Sequence, residues 1–199
     1  MLKVYLLRHG QTAWNADGNR YCGRTDITLT EKGINQAHAV EEQLKHISFD
    51  AIYSSPLERA FMTAQIASGK QEVVKDERLI EVDFGNWETK PKEQFIEEDK
   101  ELWNNWEADP SITKAGRTGE TAREVVERAD DFFKTLQTKH KTGNVLVVAH
   151  NGLNRFYLAY KLGMNLKDYR KLMVENGTVS MFQLDKEGEL TLVHLNSKL

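Results

Sequence analysis

The chain has 199 residues, 40% of them hydrophobic and 29% charged, with a formal net charge of −3. That length suits one domain with a sizeable core, and the negative balance gives no general reason to expect nucleic-acid or anionic-membrane binding. Any anion site must therefore be local. The apolar start is interrupted at Arg8, too early for a signal peptide or a membrane span. A single cysteine, Cys22, precludes an internal disulfide, and neither Cys-x-x-Cys nor His-Glu-x-x-His spacing occurs. A cytoplasmic protein without structural zinc or another metal is expected.

Residues Val4 to Thr12 read as a short apolar strand ending abruptly in Arg8, His9 and Gly10. In open α/β sheets ligands gather at the carboxyl ends of strands, so these side chains are candidates for a cleft. Ala13 to Gly23 is polar and rich in small residues and reads as a loop, with Asn15 and the backbone of Gly23 as candidate oxyanion donors. From Thr30, an N-cap, apolar residues Ile34, Ala37, Val40, Leu44 and Ile47 recur at helical spacing.

Phe49 to Ser55 forms a second strand, and Ser55-Pro56-Leu57-Glu58 opens a helix with a capping box and proline at its first position. Arg59 then falls in the first turn, where the helix dipole favours an anion and a cation is out of place unless an anion accompanies it. Glu72 to Val74 is a short edge strand. Leu79 to Glu88 carries Glu81 and Asp83 among Leu79, Val82, Phe84 and Trp87, so one carboxyl is expected against apolar surface with a raised pKa, suited to general acid work.

Residues from about 90 to 118 predict a small cap: one or two acidic helices with Phe95, Leu102, Trp103 and Trp106, then a basic loop with Lys114 and Arg117. Thr121 to Glu124 is another capping box, opening an amphipathic helix with Val125, Ala129, Phe132, Phe133 and Leu136 inward. Val145 to Ala149 is a buried strand leading into His150, Asn151 and Gly152, with a helix from Leu153 to Lys161. Thr178 to Leu184 and Leu190 to Leu195 form a closing hairpin. The order predicts a single domain over 1-199: a three-layer α/β/α sandwich with a mostly parallel sheet.

Arg8, His9, Arg59 and His150 thus converge on one sheet edge, with Glu81 in a neighbouring loop. Guanidinium forks match phosphate oxygens bidentately. Without metal-ligand spacing, the charge of a transferring phosphoryl group falls to these cations, and an imidazole can act as nucleophile, passing through a phosphohistidine.

The motifs Leu7-Arg8-His9-Gly10-Gln11-Thr12 with Trp14-Asn15, Ser54 to Ala60, Leu79-Ile80-Glu81 with Gly85 and Trp87-Glu88, and Ala149-His150-Asn151-Gly152 resemble the histidine phosphatase superfamily, with its phosphoglycerate mutase-like fold. The likeness covers nearly the whole chain in the right order. It implies His9 as the phosphorylated nucleophile and Arg8, Arg59 and His150 as holders of the phosphoryl oxygens. Glu81 is implied as acid and then base, with Asn15, Cys22, Gly23 and Asn151 lining the pocket. Four positions depart from the usual pattern: Gln11, Cys22, Thr89 (often glycine) and Asn151 (often glycine).

The expected activity is metal-independent hydrolysis of a small-molecule phosphomonoester without a cofactor, by a monomer or homodimer that binds neither nucleic acid nor membrane. The segment from Tyr21 to Gly33 is similar to that of small bacterial phosphatases such as α-ribazole phosphatases. Two alternatives stand beside this reading. A cofactor-dependent phosphoglycerate mutase would need extra cations near the cap, which is glutamate-rich here, and a non-catalytic phosphate-binding module would keep the pocket without turnover.

Overall fold

The computed structural model describes residues 1–18, 20–69 and 71–198. Six strands form one sheet: β1 (Leu2–Arg8), β2 (Ala51–Ser54), β3 (Val74–Lys75), β4 (Gly143–Ala149), β5 (Val179–Leu184) and β6 (Leu190–Ser197), in the spatial order β3-β2-β4-β1-β5-β6. β3, β2, β4 and β1 run parallel; β5 and β6 add the antiparallel hairpin. The expected mostly parallel α/β sheet is the one observed.

Alternation along the central strands divides the core. Val145, Val147 and Ala149 of β4 face one apolar cluster, while Leu146 and Val148 face the other. Side chains on a strand alternate between faces, so a strand apolar throughout must be covered on both. Helices α2 (Glu31–Leu44) and α3 (Glu58–Ala67) supply one cover; α6 (Ala122–Lys139) and α7 (Asn151–Lys161) supply the other.

Register places the site. Arg8 pairs with Ala149, and Ser54 with Val148, so β1, β2 and β4 end level with one another. The ladder continues one residue further, through His9 N–H to Ala149 O at 3.1 Å and Ser55 N–H to Val148 O at 3.0 Å. His9, Ser55 and His150 therefore leave the sheet side by side.

Several local expectations need correction. The loop after β1 contains a short helix, α1 (Ala13–Ala16), capped by Thr12 with Asn15 returning the bond, because a Thr followed by Asn at the third position satisfies both free amides. α2 ends at Leu44, so Ile47 lies beyond it. α3 begins at Glu58, not at a Ser55 cap: Leu57 is its N-cap, and the Glu58 N–H is taken by the Asp26 carboxylate at 2.9 Å.

The segment expected as a cap forms α4 (Lys92–Glu98) and α5 (Lys100–Ala108). Trp87, Phe95, Trp103 and Trp106 pack there ring against ring, and Trp106 meets Phe156 of α7. These aromatics belong to the core and are not a ligand cage. No described helix is long and apolar enough to cross a membrane.

Candidate active site

A cleft of about 300 Å³ opens above the ends of β1 and β4, with Arg8, His9, Arg59 and Glu81 in its lining. His9 is buried, and its Nδ1 lies 2.7 Å from Gly10 O. A carbonyl only accepts, so Nδ1 carries the proton and Nε2 keeps its lone pair. Burial, with Arg59 and Arg8 alongside, holds the imidazole pKa well below 6.5, so the ring is neutral at physiological pH. Gly10 is required by close contact, because a methyl group there would lie 2.3 Å from Gly33 O of α2.

His150 sits 5.1 Å from His9, ring centre to ring centre. Its Nε2 bonds Ser55 Oγ at 2.7 Å, while its Nδ1 is buried with no partner among the described residues. Burial and Arg59 hold its pKa well below 6.5 too. Ser55, expected as a helix cap, instead orients this imidazole.

Arg59 is fully buried and has no carboxylate within ion-pair distance among the described residues. Its guanidinium donates to Gly23 O at 2.7 Å and Thr25 O at 2.9 Å. Those carbonyls are presented by a loop that Glu88 clamps, accepting from Arg24 N, Thr25 N and Thr25 Oγ1. Gly23 therefore acts through its carbonyl, as a support for Arg59. Arg8 donates to Val174 O at 2.7 Å, and burial brings its pKa down to about 10, leaving it protonated at neutral pH. With both histidines neutral, the cluster carries two positive charges, which match a phosphomonoester dianion.

Glu81 is buried, but its immediate setting is polar, contrary to the apolar one expected. Oε1 accepts from Val82 N and Leu153 N, each at 2.9 Å, and Oε2 accepts from Gly152 N at 3.0 Å. The amides of Gly152 and Leu153 belong to the buried first turn of α7, a natural anion seat. A methyl group on Gly152 would lie 2.8 Å from Oε1 and 2.7 Å from Val82 Cγ2, so only glycine lets the carboxylate dock. Arg128 holds the Glu81 segment by donating to Arg78 O, Ile80 O and Glu81 O, and pairs with Glu120.

Asn15, Cys22, Gly23 and Asn151 lie in the lining of the cleft. Asn15 Oδ1 is engaged by Thr12 N and Asn176 Nδ2, which also reaches His9 O. Gln11, one of the four departures from the usual pattern, bonds Thr30 and is not in the cleft lining. Sequence reading missed Arg155, three residues beyond the Ala149-to-Gly152 motif, and Arg170, in a stretch between the last helix and the hairpin to which it gave no element. It also missed the supporting roles of Ser55, Glu88, Arg128 and Asn176, which bond partners 50 to 167 residues away.

The sequence profile of the histidine phosphatase superfamily (branch 1) matches residues 4–198. The chain belongs to the histidine phosphatase superfamily. It is 32% identical over 194 residues to phosphoserine phosphatase 1 of Hydrogenobacter thermophilus, covering 96% of this chain and 91% of that one. It is also 32% identical over 199 residues to the adenosylcobalamin/alpha-ribazole phosphatase of Salmonella typhimurium, covering 99% and 97%. A crystal structure of a phosphoserine phosphatase mutant from Entamoeba histolytica, in complex with phosphoserine, superposes with a TM-score of 0.90 at 30% identity, over 99% of this chain and 98% of that one. This histidine phosphatase is a phosphatase by its relatives as by its motifs.

Proposed function

We propose that this histidine phosphatase hydrolyses a small phosphomonoester through phosphorylation of His9 Nε2. The observation that carries the assignment is the Nδ1 bond to Gly10 O, which directs the lone pair of a neutral imidazole into a cleft flanked by two buried guanidiniums. Arg8, Arg59 and the free Nδ1 of His150 would hold the phosphoryl oxygens and neutralise the charge spread over them in the transition state.

In the first half-reaction Nε2 attacks phosphorus, the P–O ester bond breaks, and the leaving alkoxide takes a proton from Glu81. In the second, the Glu81 carboxylate removes a proton from water as the water attacks the phosphohistidine, and inorganic phosphate leaves. Oε2, with one amide partner where Oε1 has two, is the oxygen left free to carry that proton. Among the described residues no cluster of three or more His, Cys, Asp or Glu is placed to hold a metal ion. The activity is assigned to the cytoplasm, to a monomer or homodimer.

The test is phosphate release from a panel of phosphomonoesters by the parent and His9→Ala proteins, with and without chelator. Release that requires His9 and persists in chelator supports the assignment; equal release by both proteins refutes it. Extra cations at the cleft mouth are also what a phosphoglycerate mutase needs to retain a bisphosphate. Isomerisation of 3-phosphoglycerate without net phosphate release would establish that alternative.

A further inference from the structure

The two charges that match the phosphoryl group do not account for every cation in the cleft. Arg155 lies one turn into α7, four residues after Asn151 and so on the same helix face. It is half-buried, its Nε is enclosed without a partner, and it has no hydrogen bond or ion pair among the described residues. Desolvation pushes its pKa down; Arg8 and Arg170 repel it, while Glu81 attracts it without forming an ion pair. A half-buried guanidinium without a hydrogen-bonding partner, set between two other cations, is stabilised by an anion that completes it.

Arg170 lies beside it, in the 3-10 segment Leu166–Lys171. Its charge is already answered by Glu107 at 3.2 Å, and its guanidinium stacks on Trp103 at 4.8 Å. It donates to the Tyr21 hydroxyl oxygen at 3.4 Å, which leaves the Tyr21 O–H proton free to donate in turn. Lys92, over the same Trp103 ring at 4.6 Å, and Glu93 next to it also line the cleft and their charges offset, so the unanswered charge at this end is close to one unit, that of Arg155. One unit matches a monoanion better than a dianion.

Geometry sets the distance. Helix rise places Arg155 about 7–8 Å from His150 along the α7 axis. Helical side chains lean toward the amino terminus, so its guanidinium points back toward Asn151 and the phosphoryl site. A substrate spanning the two centres therefore needs only about two or three carbons between its groups.

We propose, building on the phosphatase reading above, that Arg155 with Arg170 and Tyr21 forms a second subsite that binds a carboxylate two or three carbons from the phosphorylated oxygen. The substrate class is then a short phosphorylated carboxylic acid, not a neutral sugar or alcohol phosphate.

Binding without turnover tests this. Calorimetric titration of the His9→Ala protein would compare 3-phosphoglycerate with glycerol 3-phosphate, which replaces the carboxylate by a hydroxymethyl group, and with glycerol 1,3-bisphosphate. The carboxylate ligand is expected to bind at least tenfold tighter than glycerol 3-phosphate. Adding Arg155→Gln should reduce that ratio to about twofold or less, while Arg155→Lys, which keeps the charge but not the fork, retains an intermediate ratio. Glu107→Gln, an exposed change that frees Arg170, should tighten 3-phosphoglycerate several-fold.

Equal affinities for the two three-carbon ligands, or a ratio unmoved by Arg155→Gln, overturn the subsite. Tighter Arg155-dependent binding of the bisphosphate than of 3-phosphoglycerate overturns the carboxylate in favour of a second phosphate. Hydrolysis by the parent is measured separately: discrimination without hydrolysis refutes the phosphatase reading and leaves the subsite standing, whereas hydrolysis without discrimination does the reverse.

Discussion

Glu81→Gln separates the two half-reactions. In the parent, Oε1 accepts two amide bonds at 2.9 Å and Oε2 accepts one at 3.0 Å. Glutamine can keep the pair at one oxygen but sets its NH₂ against the Gly152 N–H, donor facing donor. One bond to a charged group is lost, about 1.5–3 kcal/mol, and the α7 amino terminus loses its anion, a further 0.3–1 kcal/mol or so. A fall in stability of about 2–4 kcal/mol is expected in urea unfolding.

Loss of the acid and base should slow turnover of alkyl phosphates by about 10²–10⁴. p-Nitrophenyl phosphate tests the order of events, because its leaving group departs without help from an acid. The variant should release a burst of about one nitrophenol per active site in stopped-flow, then turn over slowly, since water attack still lacks its base. Phosphohistidine should accumulate and be trapped by alkaline quench. A steady-state rate equal to the parent's, or the same fractional loss on aryl and alkyl esters with no burst, would refute the roles given to Glu81.

Gly152→Ala approaches the same carboxylate from the helix side; by crowding Glu81 Oε1 and Val82 it should cost about 1–3 kcal/mol and show the same burst. Arg128→Met withdraws the donor to three backbone carbonyls and leaves Glu120 with Arg24 as its remaining cation; a loss of about 2–4 kcal/mol and a drop in kcat larger than any rise in KM are expected from melting and steady-state kinetics. His9 and His150 titrate near 6.5 when unfolded but well below that in the fold, so below pH 6.5 the unfolded state binds more protons and stability is lost as pH falls. Denaturant midpoints of the parent should decline from pH 7 to 5.5 by up to about 1.4 kcal/mol per pH unit for each histidine, and a His9→Gln, His150→Gln double variant should lose that slope. Thr89 has φ of 70°, a conformation costly for a β-branched residue; Thr89→Gly should raise stability by about 1 kcal/mol, seen as a melting shift of roughly 2–4 °C.

That last position illustrates what sequence alone can register. Thr89 stands out as a departure from glycine, but only its left-handed backbone explains why glycine is usual there. The strands, the major helices and the strand-end placement of Arg8, His9 and His150 were all legible in local order. An apolar run that ends in charge, or apolar residues three and four apart, depends on neighbours within a few positions, and so survives in the sequence.

The partners of those residues were not legible. Ser55 reads as a helix cap and is instead bonded to His150, 95 residues away. Glu81 reads as a carboxyl against apolar surface, yet α7 brings amides from 71 and 72 residues away onto it. Arg155 reads as one more cation of a helix and Arg170 falls between predicted elements, until packing brings both to one cleft. Local spacing determined which side chains leave the sheet at the site edge. The packing of distant segments decided what each side chain faces, and with it the charge, tautomer and reach of the site.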